Sequence, residues 1–165
     1  MRFLILSLAA LVATEAHAEG FAVRDLSTIA DDASTALGAG FIHRVAPERV
    51  TLFCSGCKGG PMIDILLGRQ TDGTEQRVRS GQTSMTDLER LCQAKDPACS
   101  LTELNVSPAV GWLTTWPMGS HTGSTAVILR DGDLLTIRSI AADADTARSN
   151  AETLVKAVSA KVIGR

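Results

Sequence analysis

The 165 residues carry 16 Lys and Arg against 18 Asp and Glu, a formal charge of −2 at pH 7, and they are 45% apolar but only 4% aromatic, with no Tyr. So even a balance excludes the strongly basic surface that draws a protein onto nucleic acid or an anionic membrane. So few rings leave no aromatic-lined groove except around the two Trp, and the length suits a single, mostly aliphatic domain.

The chain opens MRFLILSLAALVATEAHA, with one cation at Arg2, an apolar stretch from Phe3 to Val12, and Ala16 and Ala18 flanking His17. This is the pattern of a secretory signal (1–18) cut near Ala18. The apolar stretch is too short to span a bilayer, and no second long one follows. The mature chain (19–165) is therefore expected to be one soluble domain, periplasmic or secreted, without a membrane span.

Leu26, Ile29, Ala30, Ala33 and Leu37 recur at helical spacing, and Gly38 and Gly40 can end that helix. "PERVTLFC" (47–54) reads as a strand, and "PMIDILLGRQ" (61–70) as a second. The Asp72-Gly73 pair that follows predicts a hairpin returning along "TEQRVRS" (74–80). A helix is expected from Ser84 to Lys95, with Thr86 and Glu89 at capping-box spacing and Leu88, Leu91 and Cys92 as its buried stripe. Two strands follow, "LTELNV" (101–106) and "VGWLTTWP" (110–117). Then comes "STAVILRDGDLLTIRSIA" (124–141), a hairpin about Asp131-Gly132 that pairs Ile128 with Leu135 and Ala126 with Ile137. The last helix, from Asp143 to Val162, has a stripe of Ala147, Ala151, Leu154, Val155, Val158 and Val162. Segments 49–95 and 110–160 then share one plan, a possible βββα pseudo-repeat. The expected fold is α+β, with an antiparallel sheet of five or six strands and three helices packed on it.

All four cysteines, Cys54, Cys57, Cys92 and Cys99, lie in the exported part, where an even set becomes disulfides. Four cysteines allow three connectivities. The local pairs 54–57 and 92–99 are favoured, since Gly or Pro brackets each, and the crossed pairings stay open. "LFCSGCK" resembles the active-site loop of thioredoxin-like proteins, and the later hairpin, final helix and Pro117 are similar to the end of that fold. The resemblance covers two separate patches, and Gly59-Gly60-Pro61 stands where that family continues into a helix. It implies a thiol–disulfide oxidoreductase with Cys54 as attacking thiolate and Cys57 as resolving thiol. A third reading is a copper accessory protein using Cys54, Cys57, Met118 and His121, because soft sulfur ligands select Cu(I); Met62 lies near these in sequence pattern, although Met62 and Met118 read more simply as core filler.

Trp112, Thr114 and Trp116 share one face of a strand and, with His121, are candidates for a ligand-binding shelf. Ser120, Ser124 and His121 lack the elbow motif of a nucleophile–base pair. Arg69, Arg77 and Arg79 read as a solvated sheet face able to grip an anion. The leading expectation is a non-enzymatic, disulfide-stabilised binding or accessory module of the cell envelope whose partner is an envelope protein or a small ligand, with no cofactor.

Overall fold

The computed structural model describes residues 20–164, so the signal segment lies outside the described residues. Seven strands form one antiparallel sheet: β1 (Ile42–Ala46), β2 (Arg49–Phe53), β3 (Met62–Arg69), β4 (Ser100–Glu103), β5 (Val110–Met118), β6 (His121–Arg130) and β7 (Asp133–Ala141). Their order across the sheet is β1-β2-β3-β7-β6-β5-β4. Four α-helices accompany them, α1 (Ala30–Leu37), α2 (Thr74–Arg79), α3 (Met85–Gln93) and α4 (Ala144–Ile163), with a 3-10 turn at Leu26–Ile29 leading into α1. The α+β class and the antiparallel sheet stand as expected, but the strands number seven and the helices four.

The β6–β7 hairpin sets the frame. Asp131 and Gly132 both take positive φ, 53° and 79°, the turn whose twist matches the flanking strands. Its register places Ile128 opposite Leu135 and Ala126 opposite Ile137, as expected. These four side chains are fully buried, and α4 packs over β6 and β7 through the predicted stripe, every member of which is buried. Asp143 caps α4 by accepting the Thr146 N–H at 2.8 Å. Helix α1 lies against α4, and with Val50, Leu52, Ile63, Ile65 and Leu113 these elements form one aliphatic core on one face of the sheet.

Three expectations are corrected. Residues 74–79 are helix, because Asp72 accepts the Thr74 N–H at 3.0 Å and Gly73 adopts the left-handed conformation (φ 80°) in front of the helix. Glu75, buried, then accepts the Gly132 N–H at 3.0 Å and pairs with Arg79 at 2.8 Å, which anchors α2 on the β6–β7 turn. Helix α3 is capped by Ser84 and Asp87 rather than by Thr86 and Glu89, and it buries no residue; Leu91 is 65% exposed. The alignment of 49–95 with 110–160 fails with the missing return strand. Two meanders do exist, β1-β2-β3 with three strands and β4-β5-β6-β7 with four, and they meet at the β3–β7 pair.

The N-terminal segment is held by Asp133, which is buried at the start of β7. It accepts the Phe21 N–H at 2.8 Å and pairs with Arg24 at 2.6 Å and Arg69 at 2.9 Å. Burial pushes its pKa up, but Arg24, the Phe21 N–H and Arg69 outweigh burial and hold it below the ordinary value.

Candidate functional site

The sheet face opposite α4 is the more open one. The register aligns Ile42, Phe53, Met62, Ile140, Gly123 and Trp116 in one row across six strands. The next row is polar: Arg44, Thr51, Asp64, Arg138, Thr125 and Thr114. Ile42 and Met62 are 57% and 41% exposed, so the apolar row faces solvent.

Asp64 stands out within the polar row because its carboxylate is 1% exposed. Arg49 reaches Oδ1 through Nε at 3.1 Å and Nη2 at 2.8 Å, Thr51 donates to the same oxygen at 2.7 Å, and Arg138 holds Oδ2 at 3.1 Å. Burial pushes the pKa of Asp64 up, but hydrogen bonds from Thr51, Arg49 and Arg138 prevail and hold it low. The guanidiniums of Arg49 and Arg138 stay about half exposed. Arg44 stacks over the Phe53 ring, 5.7 Å from its centroid, and has no ion pair among the described residues. Two guanidiniums thus share one sunken carboxylate and a third stands beside them on Phe53, leaving donors free toward solvent. A hollow of about 580 Å³ opens beside them, bounded by Arg44, Arg49 and Thr51 on one side and by Phe53, Pro61 and Met62 on the other.

The cysteines form the two local pairs, with Cα–Cα distances of 5.3 Å for Cys54–Cys57 and 5.7 Å for Cys92–Cys99. Two disulfides suit an oxidising compartment. Cys54 is buried at the end of β2, where its N–H donates to the Pro61 carbonyl at 3.2 Å. Gly59 (φ 78°) and Gly60 (φ 53°) turn the chain directly into β3. No helix starts at the motif, so the N-terminal field that stabilises a thiolate in thioredoxin-like loops is missing here, and the sulfur assigned to attack is enclosed. Pro117 sits within β5 opposite Thr122.

Trp112 is buried at 8% exposure and so offers no shelf. Trp116 and Met118 lean over Gly123, where an added Cβ would come within 2.8 Å of both the Trp ring and the Met sulfur. His121 faces Met118 across the β5–β6 turn, with Nδ1 3.0 Å from Ser120 Oγ. Strands β3 and β7 separate β2 from β6, a span of roughly 14 Å at the usual strand spacing. Cys54 and Cys57 therefore lie apart from Met118 and His121, and the copper set is not assembled. Met62 and Met118, at 41% and 42% exposure, are surface residues rather than core filler. Ser124 is buried against Thr115 and takes no part in the Ser120–His121 contact, and Arg77 and Arg79 belong to α2, so the expected arginine sheet face does not form.

The cluster of Arg44, Arg49, Asp64 and Arg138 escapes a linear reading because its members come from four strands. One signal was present: Asp64 interrupts the apolar run "MIDILL" at a position that faces away from Ile63 and Ile65.

No protein-family model matches the chain, and no curated protein matches it in sequence. Among solved structures it is similar to the solution structure of cyanobacterial PsbP (CyanoP) from Synechocystis sp. PCC 6803, at 13% identity and a TM-score of 0.47. The match covers 73% of this chain and 81% of that one. A likeness this low carries neither fold nor function across, and the functional reading rests on the sheet face itself. No helix among the described residues is long and apolar enough to cross a membrane.

Proposed function

We propose that the protein is a non-enzymatic binding module of the cell envelope that receives an acidic segment of a partner protein on the open sheet face. The observation that carries this is the arginine cluster: Arg49 and Arg138 clamp a carboxylate that is itself 1% exposed, and Arg44, in the same row of the sheet, stacks on Phe53 with no ion partner among the described residues. Their remaining N–H donors face outward beside the apolar row of Ile42, Phe53 and Met62. Guanidiniums held by stacking or by a buried carboxylate lose little freedom on binding, so they suit carboxylate recognition. The apolar row supplies the contact area, and the Cys54–Cys57 disulfide holds the loop at its margin.

The test is site-specific photo-crosslinking in the envelope of the producing cells, with a benzophenone side chain at Met62. The expected result is a discrete protein adduct that disappears when Arg44 and Arg138 are both changed to Glu. An adduct pattern unaffected by that charge reversal, or no adduct, refutes the reading.

A further inference from the structure

The two edges of the sheet are treated differently. On the β4 side, the outward N–H of Leu101 donates to Glu89 Oε1 of α3 at 3.3 Å, and Arg148 donates to the Thr102 hydroxyl at 2.9 Å. Helix α3 packs on β4, so this edge is covered. On the β1 side the 3-10 turn and α1 contact the strand, with His43 Nε2 3.7 Å from Asp31 Oδ1, but no side chain meets its outward backbone edge among the described residues. In β2 the Cys54 N–H donates to Pro61 and the Glu48 carbonyl accepts from Leu67. Even-numbered residues of β2 therefore face β3, and Arg49, Thr51 and Phe53 bond to β1 through Ala46, Arg44 and Ile42. That alternation points the N–H and C=O groups of His43 and Val45 away from the sheet, where no partner meets them among the described residues.

Natural edge strands are usually protected by a covering element, a proline, a bulge or an inward-pointing charge. Strand β1 has none of these within its length and carries exposed Ile42 and Val45, at 57% and 48%. The one cation between them, Arg44, points to the open face and lacks an ion partner. A symmetric pairing of two copies centred on Arg44 would set arginine directly opposite arginine, which is unfavourable.

We propose that the partner adds an eighth strand to β1, its backbone bonding to His43 and Val45 and one of its carboxylates meeting Arg44. The partner segment is extended, with apolar and acidic residues taking turns at every second position, so that the same face bears both the groups that meet Ile42 and those that meet Arg44. This rests on the acidic-partner reading above and names how the segment is held.

The probe is a nine-residue blocked peptide with Val and Glu taking turns at the odd positions and Thr at the even ones, followed by amide NMR and hydrogen exchange on the full mature chain; the same peptide with Lys in place of Glu is the control. The expected result is saturable shifts at His43, Arg44 and Val45, with at least tenfold slower exchange of the His43 and Val45 amides, for the Glu peptide alone. Val45→Pro removes one outward donor that β2 does not use, so β6 and β7 amides keep their positions while peptide binding falls at least tenfold. If Arg44→Glu abolishes binding and Val45→Pro does not, strand addition is refuted while the acidic-partner reading survives. If neither substitution alters binding, both fall. Absence of protection at about millimolar peptide overturns the inference, and so does protection by self-association without peptide, which would place a second copy on the edge.

Discussion

Replacing Asp64 with Asn keeps the shape of the buried group and removes only its charge, so the substitution isolates the electrostatics of the arginine cluster. Oδ1 would still accept from Thr51 and Arg49, but as a neutral acceptor; hydrogen bonds to a charged group contribute about 1.5–3 kcal/mol against about 0.5–1.5 for neutral ones. The other oxygen becomes an amide nitrogen that points its donors at the Arg138 guanidinium, which in the wild type donates to Oδ2 at 3.1 Å. Leaving that pair mismatched costs about 1–3 kcal/mol when fully buried. Arg138 is 44% exposed and can turn to water, which favours the lower end. The sum is about 2 kcal/mol, or roughly 4–8 °C in Tm for a domain of this size. Because the folded carboxyl titrates below its ordinary 3.8, its contribution is complete above that value and is lost as pH falls through the folded pKa. Thermal unfolding followed by circular dichroism from pH 7 to pH 2.5 reads both effects. A Tm within about 1 °C of the wild type at pH 7, or a deficit that does not narrow below about pH 4, would refute the reasoning.

Ile137→Ala empties a fully buried position between β3 and β6, and urea denaturation should show a loss of about 2–5 kcal/mol with an unchanged m-value. Gly123→Ala forces the Trp116 ring off its seat, since the added methyl meets ring atoms at 2.8 and 2.9 Å; a red-shifted tryptophan emission and a cost of about 1–3 kcal/mol are expected, and an unshifted spectrum contradicts the placement. Changing Cys92 and Cys99 together to Ser should speed amide exchange in α3 far more than in β6 and β7, because that helix buries no residue of its own. Uniform acceleration across the sheet would show instead that the bridge supports the whole domain.

The parts legible in sequence are those whose signals are local. Asp131-Gly132 fixed a turn and hence a register, and the spacing of Ala147 through Val162 named the buried face of α4 residue by residue. Asp72-Gly73 misled because the same dipeptide can close a hairpin or precede a helix, and the choice was made by a distant group, the Gly132 N–H that Glu75 accepts. Helix α3 has an amphipathic pattern yet stays unburied, for its attachments are a disulfide and Glu89 at the edge of β4. Strand β1 was missed since "IHRVA" alternates no polarity that marks it, and its role as an edge explains why. The arginine cluster depends on four strands arriving in register, a property no short window contains.

The pairing of β3 with β7 in the middle of the sheet also sets how the chain must find its shape. Within each meander, neighbouring strands are joined by short turns, but Arg69 meets Asp133 across 64 residues and Asp64 meets Arg138 across 74. The sheet's centre is thus where the chain is farthest from itself along the sequence, and the loop-closure entropy falls on that one seam. Each meander can form from local contacts; their joining is the slow search. The carboxylates of Asp64 and Asp133 lie on that seam, each accepting a guanidinium from across it, so the Asp64–Arg138 pair that shapes the open face and the Arg69–Asp133 pair on the opposite face latch the two halves together.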